Sequence, residues 1–252
     1  MASQKDMESI YRDVAEHINN IAIVNGVNTL YDVFCNSLQL VKYINMNDIQ
    51  CSDISAVKID ILNAYKNNDV SGIKNIVTNI LNRVTGYKDT DIEDTELNHM
   101  MEVLNSIYGE IEALNLDMKS FEEILNDNLK IRDEHCDKNK VKKLLCSGVV
   151  TLTCKDFYDT DIKDNSIVIA FAPFRKSNIL QDKFNHKQYN DWLNQLVKRE
   201  NITILVLSRE ELGDNFKLIE EYQKDKKKNR LKLYININDW YKIYGDDILD
   251  EF

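Results

Sequence analysis

Ser166-Ile-Val-Ile-Ala-Phe-Ala-Pro-Phe174 is the stretch whose reading decides the fold. It carries no charge and is rich in β-branched and aromatic side chains. It is too short for an independent helix, and Pro173, the single proline of the chain, stops it. Such a run predicts a strand apolar on both faces, hence an interior strand of a covered sheet.

Working outward toward the C-terminus, Ile202–Leu207 is a second fully apolar run. Leu231–Ile237 is a third, with Leu233, Ile235 and Ile237 alternating with polar or amphipathic neighbours, as nearer a sheet edge. His186–Arg199 between them reads as a helix, with Tyr189, Trp192, Leu193, Leu196 and Val197 on one face. Glu210–Tyr222 reads as another helix. Val149–Thr153 reads as a further strand. Strands alternating with helices imply a mainly parallel sheet.

Toward the N-terminus the period is helical. Helices are expected over 4–24, 29–43, 57–66 and 70–84, with a polar loop over 45–55. Leu97, Met100, Leu104, Ile107, Ile111, Leu114, Met118, Phe121 and Leu125 form an unbroken a/d seam. It fits either one long helix or two antiparallel helices restarting at Ser120. The expected class is therefore α+β. A helical domain, 1–145, precedes a small α/β domain, 146–252, whose mainly parallel sheet has three to four strands.

Seven glycines and one proline in 252 residues argue against a turn-rich sandwich or barrel. Heavy use of Asn, Asp, Ile and Lys is the bias of an AT-rich genome, viral or microbial. The polar start, MASQKDMESIYRDVAEH, has no signal-type core, and no run approaches a membrane span. A soluble, intracellular protein is expected, cytoplasmic or in a host cell or virion. Five scattered cysteines fit reduced thiols.

Net charge is −10. The first 145 residues hold 24 acidic and 15 basic side chains, and the rest hold 18 and 17. An acidic half is a poor general binder of nucleic acid. Two basic sets stand apart as candidate nucleic-acid contacts: Arg175 and Lys176 after the anchor strand, and Lys224, Lys226, Lys227, Lys228 and Arg230 before the last strand.

Chemistry is harder to find. His135, Cys136, Cys146 and Cys154 lack zinc-site spacing. Asp159, Asp161 and Asp164 precede the anchor strand, but none of the strands expected here carries a carboxylate, so a metal-nuclease pattern fails. No glycine-rich phosphate loop and no nucleophile elbow is present. Catalytic residues, cofactor and metal are all expected to be none.

The runs Ser166-Ile-Val-Ile-Ala-Phe171, Glu200-Asn-Ile-Thr-Ile-Leu-Val-Leu207 and Leu231-Lys-Leu-Tyr-Ile-Asn-Ile237, with helix 189–199 between the first two, give the C-terminal third an element order. It resembles the jaw domain of the fifth subunit of nuclear and viral-type RNA polymerases. That resemblance implies a non-catalytic α/β module leaning on DNA. The chain stops at Phe252 without the family's assembly module, and no functional residue carries over.

The expected function is a non-catalytic interaction or assembly subunit of a larger complex, viral and tied to transcription. Leu97, Met100, Leu104, Ile107, Ile111 and Leu114 would contact a protein partner or a second copy. The alternative is a metal-dependent nuclease or other hydrolase with a degenerate site.

Overall fold

A computed structural model describes residues 4–35, 38, 40–67, 69, 72, 75–76, 144–171, 186–224 and 229–245. Helix α1 (Gln4–Asn25) buries Ile10, Val14, Ile18 and Ile21 along one stripe, as its period predicts. Gly26 ends it at φ +64°, where the Val27 N–H returns to the Ala22 carbonyl at 2.9 Å. Glycine takes that left-handed turn without steric cost.

Strand β1 (Thr29–Asp32), a 3-10 turn at Val41–Tyr43, strand β2 (Asp48–Asp53) and helix α2 (Ala56–Lys66) follow. Next come β3 (Val150–Cys154), a 3-10 turn at Phe157–Asp159 and β4 (Ser166–Ile169). Helix α3 (His186–Leu196), β5 (Ile202–Ser208), β6 (Phe216–Lys224), β7 (Asn229–Asn236) and α4 (Ile237–Tyr244) complete the described chain.

The described strands form one seven-stranded sheet in the order β3-β2-β1-β4-β5-β7-β6. The first five are parallel to one another, and β7 runs antiparallel to both of its neighbours. The carboxyl ends of β1–β5 and of β6 therefore share one edge of the sheet. Ile167, Ile169, Leu205, Leu207, Leu233 and Ile235 face a core shared with α1 and α2. Val168, Ile202, Ile204, Val206 and Tyr234 face a second core built with α3 and Phe157. This two-sided burial is the prediction made from the anchor strand, and β4 lies at the centre of the sheet.

The expected fold class needs correcting. Among the described residues the N-terminal half is not a helical unit, because it supplies β1 and β2 to the sheet, and that sheet is larger than the three or four strands anticipated. Residues 29–43 read as a helix because Leu30, Val33, Phe34, Leu38 and Val41 are spaced like a helical stripe. Leu30 and Val33 are indeed buried, but in opposite cores, with β1 and its turn between them. Residues 45–55 read as a loop because β2 is half polar. Its Ile49 and Cys51 face the core, while Asp48, Gln50 and Ser52 line a depression of about 170 Å³ with Thr153 and Lys155.

The expected helix at 210–222 is strand β6. A bulge between Leu218 and Glu220 breaks its alternation, so Ile219 and Tyr222 reach the same core three positions apart, while Phe216 packs in the other core. A bulge can thus imitate a helical period. The expected helix at 70–84, the 97–125 seam and Ala172–Phe174 of the opening stretch fall largely or wholly outside the described residues. No described helix is long and apolar enough to cross a membrane.

Candidate active site at the carboxyl edge of the sheet

Strands β1 and β4 are hydrogen-bonded neighbours, but the chain leaves β1 toward β2 and leaves β4 toward β5. Successive connections thus diverge on either side of this pair. In doubly wound sheets that divergence opens a crevice at the carboxyl ends, where ligands bind.

An aspartate ends or follows each strand on the β1 side of this edge. Asp32 ends β1, 4% exposed, and its Oδ1 accepts the Phe34 N–H at 3.3 Å. Asp53 ends β2, 8% exposed, and its Oδ1 accepts the Ser55 N–H at 2.8 Å. Asp156 follows β3 and accepts the Phe157 N–H at 2.6 Å, starting the 3-10 turn. Each acid turns its own chain out of the sheet, a common use of this side chain.

Their burial exceeds what turning requires. It raises the Asp32 carboxyl to about 7; the Phe34 N–H opposes that rise and the charge of Asp53 adds to it. Burial likewise raises Asp156 above the ordinary carboxylate range, opposed by the Phe157 N–H. Cys35 and Cys51 lie behind the two strand-end acids. Contact with Cys51, then burial, raises the Cys35 thiol well above its ordinary value, and burial raises Cys51. Such thiols stay protonated and inert.

The apolar part of the edge is built from both sides. Ile54, directly after Asp53, is 65% exposed. The Lys155 N–H donates to the Asp53 carbonyl at 3.2 Å, and Cys154 Sγ to the Ile54 carbonyl at 3.7 Å, so the β2 and β3 ends lie side by side. Phe157 touches Phe34, Tyr189 and Trp192 at ring separations of 5.4, 5.8 and 5.2 Å. Tyr158 stands perpendicular to Phe157 and is exposed. The Tyr189 hydroxyl donates to the Ala170 carbonyl at 2.7 Å, fixing the chain as it leaves β4.

The turn after β1 contains no glycine; none occurs between Gly26 and Gly72. Leu38 takes the left-handed conformation instead, φ 59°, with its side chain fully buried. The Leu38 N–H donates to the Cys35 carbonyl at 2.9 Å. A non-glycine residue there stores strain on the order of 1 kcal/mol, a feature that clusters at functional sites.

The sequence reading missed this edge. No carboxylate falls on an expected strand because the two strands that end in one, β1 and β2, carry a helix-like spacing and a loop-like polarity. The pattern Asp32…Asp53, 21 positions apart, was the available signal. The residues proposed from sequence are not gathered here. Arg175, Lys176, Lys226, Lys227 and Lys228 lie outside the described residues, as do Leu97, Met100, Leu104, Ile107, Ile111 and Leu114. Lys224 and Arg230 belong to β6 and β7. Cys146 and Cys154 are exposed and donate to different carbonyls, of Lys66 and Ile54. Asp164 pairs with Arg199. Among the described residues no group of three or more His, Cys, Asp or Glu could hold a metal ion.

No protein-family model and no curated protein matches the chain. Solved structures do. The rRNA methyltransferase aviRa from Streptomyces viridochromogenes is 12% identical, with 92% of this chain and 87% of that one covered, at TM-score 0.38. A putative methyltransferase, yhhF, from Escherichia coli is 11% identical, with 89% and 84% covered, at TM-score 0.37. A conserved hypothetical protein from Streptococcus pyogenes is 9% identical, with 82% and 85% covered, at TM-score 0.35. These likenesses are loose, and the fold is described above from its own strand order.

Four expectations are corrected. The polymerase jaw resemblance fails, because the C-terminal third is not a separate module but part of a sheet that continues into β1–β3. The non-catalytic assembly subunit, the leaning away from an enzyme and the viral transcription subunit are corrected with it, since they stood on that resemblance and on strands without a carboxylate, whereas β1 and β2 each end in a buried aspartate. The element order had matched only because strand–helix–strand runs are common to many α/β folds.

Proposed function

We propose that this chain is a methyltransferase that binds S-adenosylmethionine at the carboxyl edge between β1, β2 and β4 and methylates nucleic acid. The observation that carries the reading is the placement of Asp53 and the exposed Ile54 beside the β1–β4 switch point. A buried carboxylate at the end of β2 suits ribose hydroxyls, which donate to it. An exposed isoleucine next to it offers an apolar face to a planar base, and Asp156 offers an acceptor to an exocyclic amine.

The residues fit the adenosine half of such a donor. The amino-acid half would meet the β1 turn, where Leu38 and not glycine holds the left-handed position. When bound, the donor supplies an electrophilic methyl group on a sulfonium. Asp32, titrating near neutrality, is a carboxyl whose charge a cationic ligand would stabilise. Tyr189 holds the start of the β4–α3 connection in place through the Ala170 carbonyl. The nucleic-acid part of the reading is supported by the two basic sets of the sequence, Arg175–Lys176, after β4, and Lys224–Arg230, around the junction of β6 and β7.

The test is calorimetric titration with S-adenosylmethionine and with S-adenosylhomocysteine. Micromolar binding of both is expected. No heat and no thermal shift with either at millimolar concentration would remove the reading.

A further inference from the structure

Independently of methyl transfer, we propose that the trough along the polar face of β2 binds a nucleotide, with its phosphate between Lys155 and Lys163. The trough holds about 170 Å³. Side chains alternate along a strand, so Asp48, Gln50 and Ser52 share its floor while Ile49 and Cys51 enter the apolar core. Lys155, just after β3, stands on one wall. The connection from β3 to β4 makes the other wall through Thr160, Asp161 and Lys163, and Tyr31 of β1 lines the trough between them.

Two buried hydroxyls in the trough have hydrogen-bonding capacity left over. Tyr31 is 5% exposed and accepts the Lys163 N–H at 3.4 Å, and among the described residues its own O–H donates to nothing. Ser52 is 2% exposed, with its Oγ 3.3 Å from Thr160 Oγ1. Thr160 spends its one hydroxyl proton on the Asp156 carbonyl at 3.0 Å. Ser52 therefore donates to Thr160 and keeps acceptor lone pairs of its own. Buried polar groups ordinarily find partners. An occupant that accepts from Tyr31 and donates to Ser52 would complete both.

The rest of the lining carries charge of both signs. Lys155 and Lys163 are exposed, and neither is paired with an acid among the described residues. Lysine ammonium groups converging from two walls suit a phosphate. Asp48 is half-buried at the start of β2, where its two oxygens accept from Thr29 Oγ1 at 3.1 Å and from Gln50 Nε2 at 2.5 Å. A carboxylate has lone pairs beyond those two bonds. Asp161 balances the second lysine, so the lining is neutral in sum. A bare anion gains little from such walls. A molecule with an anion at one end and hydroxyl or imide donors at the other matches both signs. Asp48 and Ser52 are four strand steps apart, ~13 Å, a span that suits a nucleoside phosphate and exceeds a phosphate ion.

The experiment is calorimetric titration of the full chain with uridine 5′-monophosphate, because uridine lacks the adenine assigned to the carboxyl edge. Sub-millimolar binding is expected, unchanged by added S-adenosylhomocysteine. Lys155→Gln with Lys163→Gln should weaken it about 10-fold or more, and Tyr31→Phe about 5-fold, from lost hydrogen bonds to an anion. Circular dichroism of the lysine pair should match wild type, since both side chains are exposed. No heat at millimolar nucleotide overturns the site, as does wild-type affinity in the lysine pair. Displacement by S-adenosylhomocysteine, or inorganic phosphate binding as tightly as the nucleotide, also overturns it. A short oligouridylate identifies the source of the nucleotide. Tighter binding than the monomer, lost in the same lysine pair, assigns the trough to a strand of RNA; weaker binding assigns it to a free nucleotide.

Discussion

Asn236 donates its side-chain Nδ2 to Asp239 at 2.8 Å while its side-chain Oδ1 accepts the Ile204 N–H at 2.8 Å. The backbone ladder between β5 and β7 ends one step earlier, at Leu205 and Ile235. A side chain thus takes over where main-chain pairing stops, and it ties α4 to the strand before it. Asn25, at the end of α1, joins the same buried set through Thr203 and Asp239.

Asn236→Ala should therefore cost about 2–4 kcal/mol, because it strands a buried backbone donor and takes one partner from a buried carboxylate. A urea titration checks this. The midpoint should fall with the slope unchanged, since the loss lies in the native state. A fall under 0.5 kcal/mol would show that water replaces the amide.

Asp32 binds its proton more tightly in the fold, about 7, than in the unfolded chain, ~4. Unfolding between those values releases a proton, so this group's contribution to stability falls as pH rises from 4 to 7 and is level above. Asp32→Asn keeps the acceptor for the Phe34 N–H and removes the buried charge. Thermal melts should show the variant more stable than wild type by on the order of 3 kcal/mol at pH 8 and equal to it near pH 4. Equal melting at both pH values would contradict the burial argument.

Asp53→Asn preserves the acceptor used by the Ser55 N–H but weakens a charge-assisted bond to a ribose hydroxyl. Its dissociation constant for S-adenosylhomocysteine should rise ~10–100-fold, measured by calorimetry. Ile54→Ala, at an exposed position, should leave stability within about 0.5 kcal/mol while weakening the same ligand about 5-fold. Loss of stability without loss of affinity in either variant would make this corner structural only.

Tyr189→Phe deletes the hydroxyl that reaches the Ala170 carbonyl and leaves the ring among Phe34, Phe157 and Trp192. The expected cost is ~1–2 kcal/mol by chemical denaturation. Faster amide exchange around residues 170–171 should accompany it, because the bond pins the exit of β4.

The sequence by itself determined the centre of the sheet and the two-sided burial around it. Uncharged β-branched runs such as 166–170 and 202–207 can be satisfied only inside a covered sheet, whatever surrounds them. It also determined helix α1, since one long apolar stripe ending at Gly26 has few other solutions. The tertiary structure decided the rest. Residues 29–32 are too few to distinguish strand from helix by period, β2 presents a polar face because no described helix covers it, and the β6 bulge shifts its phase to three. The candidate site depended on these same elements. Asp32, Asp53 and Asp156 are 21 or more positions apart in sequence, and only the strand order brings them to one edge. Short-range pattern records which residues avoid water; neighbouring strands are chosen by long-range pairing, which no local window contains.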